Sequence, residues 1–443
     1  MTSVPKTAAT LALLGLALPL NVAVTAVGLL RGLVTAPVPE VAAEPRTIMI
    51  SGGKMTKALA LARSFHRAGH RVVLVESAKY RLTGHRFSRA VDRFHVVPTP
   101  ESDGYVDALV AVARAEDVDV FVPVSSPVAS YHDALAKKEL SALCDVVHLD
   151  ADMVETLDDK YRFTTLAASM GLGVPDRHRI TDPQQVIDFD WAGHGTGTGR
   201  TYILKSLAYD PVRRMDLTEL PRPTPAETAA FVRSLPISPD NPWILQEFVR
   251  GQEYCTHATV RDGVVRLHCC CPSSGFQINY RMVDDPEIEA WVRTFVGELR
   301  LTGQVSFDFI RSDDGRLMAI ECNPRTHSAI TMFYDHPGVA RAYLDAADPD
   351  DDSPTVYPTP QSRPTYWLYH EIWRILRRPS SIAERLGVLA RGKDAIFDLT
   401  DPLPFLLVHH LQIPALLLDT VRRGTEWVRI DFNIGKLIEP AGD

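Results

Sequence analysis

Asp308, then Glu321 and Asn323 in a Glu-x-Asn, then Arg325 directly after Pro324, are side chains able to hold a metal ion and a phosphoryl group. Val305 to Ile310 and Leu317 to Asn323 alternate as strands do, and Asp314-Gly315 between them is a favoured two-residue hairpin turn. Counting outward from that turn sets Asp308 opposite Glu321 and Ser306 opposite Asn323, all on one face. Like charges directly opposed in a ladder destabilise it, so this register calls for a cation. Carboxylate and amide oxygens without thiolate or imidazole suit Mg2+, with Mn2+ as a second choice. The guanidinium fork of Arg325 could grip a phosphoryl oxygen. A solvated acidic hairpin followed by a proline turn is the plainer alternative, and a longer loop would break the register.

Other elements must then bring a nucleotide to this face. Leu157-Asp158-Asp159-Lys160 opens a helix, and Thr201-Tyr202-Ile203-Leu204-Lys205 reads as a strand ending in a second lysine. Lys160 and Lys205 could neutralise phosphate as ammonium ions, although a lone lysine is usually only solvated. Trp243 to Val249 forms another strand before Gly251-Gln252-Glu253. Together these pieces, in this order, resemble the ATP-grasp superfamily, and the Pro-Arg extension resembles the version in carbamoyl-phosphate synthetases. The resemblance implies that Lys160 and Lys205 contact ATP. It further implies that Gln246 lies near the adenine amine, that Glu247, Phe248 and Val249 offer backbone groups, and that Glu253 meets the ribose. Asp308, Glu321 and Asn323 would be the metal ligands. One departure is the segment Ser206 to Arg214, which lacks the glycines usual over the phosphates, so that Arg213 or Arg214 would take that role or the loop would meet the acceptor.

From Ser51 to Val339 the chain more closely resembles the mycosporine-glycine synthases, ligases of mycosporine-like amino acid biosynthesis. The stretches that carry this are Ser51-Gly52-Gly53-Lys54-Met55-Thr56-Lys57-Ala58, Gly84-His85-Arg86-Phe87-Ser88, Pro127-Val128-Ala129-Ser130-Tyr131 and Glu321 to Tyr334. The resemblance implies joining glycine to 4-deoxygadusol. ATP would phosphorylate the enol oxygen, and the amine would displace phosphate. Lys205 and Arg325 would act at the transferring phosphoryl group. No base for the amine is assigned; His327 is the candidate to test, against the commoner role of a histidine as a structural hydrogen-bonder.

With 443 residues, 45% hydrophobic and 23% charged, the chain can bury a large core in about three domains. A net charge of −8 gives no electrostatic case for nucleic acid as a partner. The expected class is α/β (α+β): an apolar helix and linker over 1–45, a Rossmann-like open sheet over 46–150, an ATP-grasp domain over 151–344, and a mainly helical extension over 345–443. Thr47 to Ile50, Met55 to Ala68 and Arg71 to Val75 read as a parallel crossover unit, and Val118 to Val124 as another strand. Ser125-Ser126 beyond it lies where such sheets bind ligands. Gly193 to Gly199 precedes a strand rather than a helix and reads as a linker, not a phosphate cradle.

Six cysteines, three of them consecutive at 269–271, fit no zinc spacing, and adjacent strand side chains point to opposite faces. A reducing cytoplasm suits them. Thr7 to Leu30 is uncharged over 24 residues, about 36 Å as a helix against a hydrocarbon core of roughly 30 Å. A span with the catalytic region on the cytoplasmic side competes with a buried or interfacial helix, because Pro19 and Asn21 sit near its middle. In the tail, Tyr366 to Arg378 and Leu403 to Leu418 read as a helical cap or a second membrane contact. Adjacent His409 and His410 do not share a metal-binding helix face. The competing functions are a ligase for another acid or amine and a non-catalytic membrane-tethered nucleotide sensor. The oligomeric state is open.

Overall fold

The computed structural model describes residues 4–35, 41–124, 126–194, 199–208, 213, 216–273, 279–345 and 354–439. Helix α1 (Val4–Thr35) precedes five parallel strands: β1 (Thr47–Ile50), β2 (Arg71–Ser77), β3 (Arg93–Val97), β4 (Val120–Val122) and β5 (Asp145–Val146). They lie in the order β3-β2-β1-β4-β5. Apolar strand runs followed by amphipathic segments favour this pattern, because crossover helices cover both faces. Ile48, Ile50 and Leu74 meet Leu59, Leu61 and Phe65 of α2 (Thr56–Arg67). Met49, Val73 and Phe121 meet Tyr105 and Leu109 of α3 (Tyr105–Ala115) on the other face. Each such large side chain contributes about 1.5–3 kcal/mol when fully buried. The expected crossover unit is present, while the strand expected over 118–124 is only β4.

The strand order reverses between β1 and β4, the place where open sheets receive ligands. There Val124 N–H donates to Ser51 Oγ (3.3 Å), and Ser51 Oγ donates to Asp133 of α4 (Pro127–Leu140) at 3.1 Å. Ser126 is the residue that precedes α4; Ser125 falls outside the described residues.

Helices α5 (Ala151–Asp158) and α6 (Lys160–Ser169) lead into two antiparallel sheets. Strands β6 (Arg177–Ile180), β7 (Tyr202–Ser206) and β8 (Trp243–Glu247) form the smaller, in the order β6-β8-β7. The larger uses β9 (Gly251–Arg261) and β10 (Val264–Pro272) and, after the two-residue β11 (Asn279–Tyr280), β12 (Gly303–Ser312) and β13 (Leu317–Asn323), in the order β10-β9-β12-β13. Strand alternation divides β12: Phe307 and Phe309 pack against Trp291 of the Pro286–Glu298 helix, each with ring centroids 5.2 Å from it. Ser306 and Asp308 take the opposite face. The same alternation parts the cysteines of β10, since Cys269 and Cys271 enter one core and Cys270 another, and all six are free.

The described residues after 354 are mainly helical, with helices Leu368–Arg377, Ile382–Arg391 and Ile413–Arg423. Val408–Gln412 is a wider π-helical turn. It seats His409 against Tyr369 (ring centroids 4.2 Å apart) while Nδ1–H donates to Phe405 O (2.7 Å). Of the glycine-rich stretch 193–199, residues 195–198 lie outside the described ones; it begins within a short helical turn, Trp191–His194.

Candidate active site

Strands β12 and β13 pair Ser306 with Asn323 and Asp308 with Glu321. The turn that joins them has three residues rather than two: Ser312 N–H donates to Arg316 O (2.9 Å), and Gly315 holds φ +89°, a left-handed conformation in which glycine is least strained. That extra loop residue would set Asp308 against Ile320. A bulge just beyond Phe309 and Ala319 leaves Ile320 unpaired and cancels the shift. The two carboxylates therefore share one face. Asn323 Nδ2 donates to Asp308 Oδ2 (3.3 Å), and Ser306 Oγ in the same row is buried with no partner among the described residues.

Cations approach this face from two elements. Asp159 caps α6 by accepting from the N–H groups of Tyr161 (2.8 Å) and Arg162 (2.9 Å), which puts Lys160 at the first helical position. Its Nζ reaches Glu321 Oε1 at 3.1 Å. Lys205 comes from β7, near enough for its charge to act on Glu321. Burial works against the charge on Glu321, but Lys160 and Lys205 outweigh it and hold the carboxyl below its ordinary range. Asp308 has no such neighbour in contact. Burial, with the Glu321 charge beside it, pushes Asp308 up to about 7. A carboxylate so placed fits a divalent cation, and oxygen donors from Asp308, Glu321 and Asn323 match Mg2+. Arg325 donates to Asn323 Oδ1 and pairs with Asp158 at 3.3 Å, so its guanidinium is held at the edge of the same group.

The segment Trp243 to Val249, whose first part is β8, is less open than the sequence suggests. Glu247 N–H donates to Asp176 O (2.8 Å) and Phe248 N–H to Thr201 O (2.7 Å), so these two amides serve neighbouring segments. Among the described residues only Val249 of the three keeps an amide that no other segment takes. Gln246 is buried, its Nε2 3.5 Å from Ile320 O. Glu253, near the start of β9, lies close enough for its charge to act on Lys205 and Asp308. His327 does not suit the role of base. Its Nδ1 accepts from Ala329 N–H (3.3 Å), capping the short helix Ser328–Phe333, which commits the basic lone pair of the ring. Burial, then the charges of Lys57 and Arg325, push it down to about 3.

No protein-family model matches the sequence, and neither does any curated protein. Solved structures do match. An N5-carboxyaminoimidazole ribonucleotide synthetase in complex with ADP superposes with a TM-score of 0.54 at 14% identity, covering 76% of this chain and 86% of that one. Biotin carboxylase from Campylobacter jejuni gives 0.51 at 14% identity over 69% and 72% of the two chains. A carboxyaminoimidazole ribonucleotide synthase from Aspergillus clavatus complexed with ATP gives 0.50 at 15% identity over 72% and 80%. The chain has the ATP-grasp fold. At these identities the likeness speaks to fold, and the narrower resemblance rests on the residues themselves.

On this hairpin face, then, Lys160, Asp308, Glu321, Asn323 and Arg325 form one connected group with Lys205 close by. Two further residues belong to it that spacing alone did not single out. Asp158 anchors Arg325. Lys57 of α2 is buried with Nζ donating to Thr326 O (2.5 Å), and burial, with Arg325 and Lys54 near, pushes it well below the ordinary lysine range. Ser130 of α4 also donates to Pro324 O (2.9 Å), so the ligand-binding end of the parallel sheet adjoins the Pro324-Arg325 segment.

Proposed function

We propose that the chain is an ATP-dependent C–N ligase that joins glycine to 4-deoxygadusol, giving mycosporine-glycine, ADP and phosphate. The observation that carries the ligase reading is the charge layout of the hairpin face. Glu321 is ion-paired with Lys160, while Asp308 beside it has no ion pair among the described residues. The charges of Arg325 and Lys160 do not offset the burial of Asp308, with Lys205 near both acids and Arg325 at the edge. Nucleotide phosphate and a divalent metal together complement that layout. The quoted stretches from Ser51 to Tyr334 support the choice of acceptor and amine.

The acceptor oxygen attacks the γ-phosphorus and ADP leaves; the glycine nitrogen then adds to the activated carbon, the C–O bond breaks and phosphate departs as the enaminone forms. Lys160 and Lys205 hold the phosphate oxygens and Arg325 steadies the group in transfer. Asp158 keeps the Arg325 fork aimed. The acceptor enters from the side of Ser51, Ser126 and Lys57, where an anionic oxygen would restore the charge that burial disfavours on the Lys57 amine. Asp308, Glu321 and Asn323 would hold Mg2+, which when bound offsets phosphate charge. The proton released by the amine leaves without an assigned protein base, since His327 is committed to its cap.

A ligase acting on a carboxylate and another amine uses the same face, and the fold shared with N5-carboxyaminoimidazole ribonucleotide synthetase and biotin carboxylase supports that second reading. A sensor without turnover would not require Arg325 beside the metal ligands. The deciding experiment supplies ATP, Mg2+, 4-deoxygadusol and glycine, omits each in turn, and measures ADP with product. One ADP per mycosporine-glycine is expected. ADP only with a carboxylate acceptor would select the second reading, and none with any acceptor would select the sensor.

A further inference from the structure

Helix α1 is inside out for a protein in water. From Leu11 to Leu30 its only polar side chains are Asn21 and Thr25, and both face the protein, 8% and 4% exposed. Asn21 meets Tyr369 Oη (2.6 Å) and His410 Nε2 (2.7 Å). The outward side is wholly apolar, with Leu16 80%, Leu20 68% and Leu30 67% exposed. A soluble surface helix places polarity the other way round.

The helix is also fastened along its whole length of about 48 Å. Near its start, Lys6 Nζ donates to Trp427 O (3.0 Å) and Val428 O (2.6 Å), and Trp427 Nε1 donates to Thr7 Oγ1 (2.9 Å). Asn21 fastens the middle. Near its end, a Cβ on Gly28 would fall 3.0 Å from Leu399 O and 2.9 Å from Pro402 Cγ, so the helix backbone lies close against residues 399–402 there. Leu403–Arg423 is itself long and apolar enough to cross a bilayer, though half of it is buried in the body, and a helix held at three such points could cross only by drawing the whole segment 399–428 in with it. That segment contains Asp401, paired with Arg63 of α2 at 2.8 Å and tied to the parallel sheet's body.

Neighbouring surface extends the apolar face. Tyr369, Trp373 and Leu376 follow at i, i+4 and i+7 on one side of the Leu368–Arg377 helix, so Trp373 and Leu376, 55% and 61% exposed, continue the row that touches Asn21. Ile382 and Leu386 are exposed on the next helix. The residues of α1 and 368–392 carry seven Lys and Arg against two Glu, in a chain whose net charge is −8. An apolar face with an interfacial tryptophan and a basic surround matches an anionic lipid surface.

We propose that α1 and the Leu368–Arg391 helices form an in-plane docking face for an anionic membrane surface, with α1 lying flat against the lipid rather than crossing it. The inference is independent of the ligase reading. The test floats the full chain with vesicles of phosphatidylcholine and phosphatidylglycerol. The chain should float with these and at least tenfold less with phosphatidylcholine alone. Leu16→Ser/Leu20→Ser/Leu30→Ser should reduce flotation at least tenfold while circular dichroism is retained. Should that variant misfold, Arg377→Glu/Arg378→Glu serves, and should lose binding to the anionic vesicles. Alkaline carbonate should release the bound chain from the vesicles. Retention in the bilayer after that wash would mean a span. Undiminished flotation of the folded serine variant, or absence of flotation with a dimer that Leu16→Ser dissociates, would overturn the proposal.

Discussion

Asp308 and Glu321 put two carboxylates on one face of a hairpin, whereas Asn21 and Thr25 turn the only polar side chains in the middle of α1 toward protein. Each region departs from what a self-sufficient fold in water would choose. On the hairpin face the departure is electrostatic, and only Glu321 of the two acids has an ion pair, with Lys160. On α1 it is hydrophobic: the body partners Asn21 and buries Thr25, and the apolar side is left outward. The lesson is that an incompletely compensated surface points to the chemistry of a partner, here the cation with phosphate and the lipid that we propose.

If the comparison holds, changes in the two regions separate cleanly. Asp308→Ala or Glu321→Ala should lower turnover about 10²–10³-fold or more with the thermal midpoint nearly unchanged. Leu20→Ser on α1 should leave kcat alone. Near-normal rates in either acid variant, measured by ADP release, would break the comparison. One residue away on the same strand, Phe307→Ala should instead cost about 3–5 kcal/mol of stability by denaturant unfolding, because that side chain belongs to the packed face. Lys205→Ala should weaken ATP binding about tenfold or more, near 1.4 kcal/mol, by calorimetry.

Much of the cleft was legible because strand pairing is local and repeats every two residues. The register between Asp308 and Glu321 came out as expected although the turn did not: the three-residue loop at Gly315 and the bulge at Ile320 shift it in opposite senses. Compensation of that kind leaves no mark in composition. Lys57 was hidden because its burial depends on Thr326, 269 residues on. The apolar length of α1 was plain, but its direction was not, since Tyr369, which receives Asn21, lies 348 residues away. For His327 the sequence left a base and a structural hydrogen-bonder open, and the Ala329 amide on its Nδ1 favours the second.

That reassignment has a small consequence. His327→Ala should cost about 1 kcal/mol as a lost cap and leave the pH profile of kcat/KM in place. A displaced profile would restore it as a base. Acid should act on the fold through other histidines. His85 and His148 are pushed down to about 4 by burial, with Nδ1 of His85 on Gly53 O (3.0 Å) and Nε2 of His148 on Ser130 O (2.8 Å). In the unfolded chain both return to about 6.5. Between these values the unfolded state binds more protons, so this stability is whole above about pH 6.5 and drains away as pH falls toward 4. Urea midpoints across that window should decline, and flat midpoints would contradict the burial.

The measurement closest to the central claim follows an oxygen atom. With 4-deoxygadusol labelled with heavy oxygen at its reacting position, and a control for exchange with water, the phosphate released during ligation should carry one labelled oxygen per molecule. Phosphate that acquires none while product still forms would contradict phosphoryl transfer to the acceptor, and with it the role given to Lys160, Lys205 and Arg325.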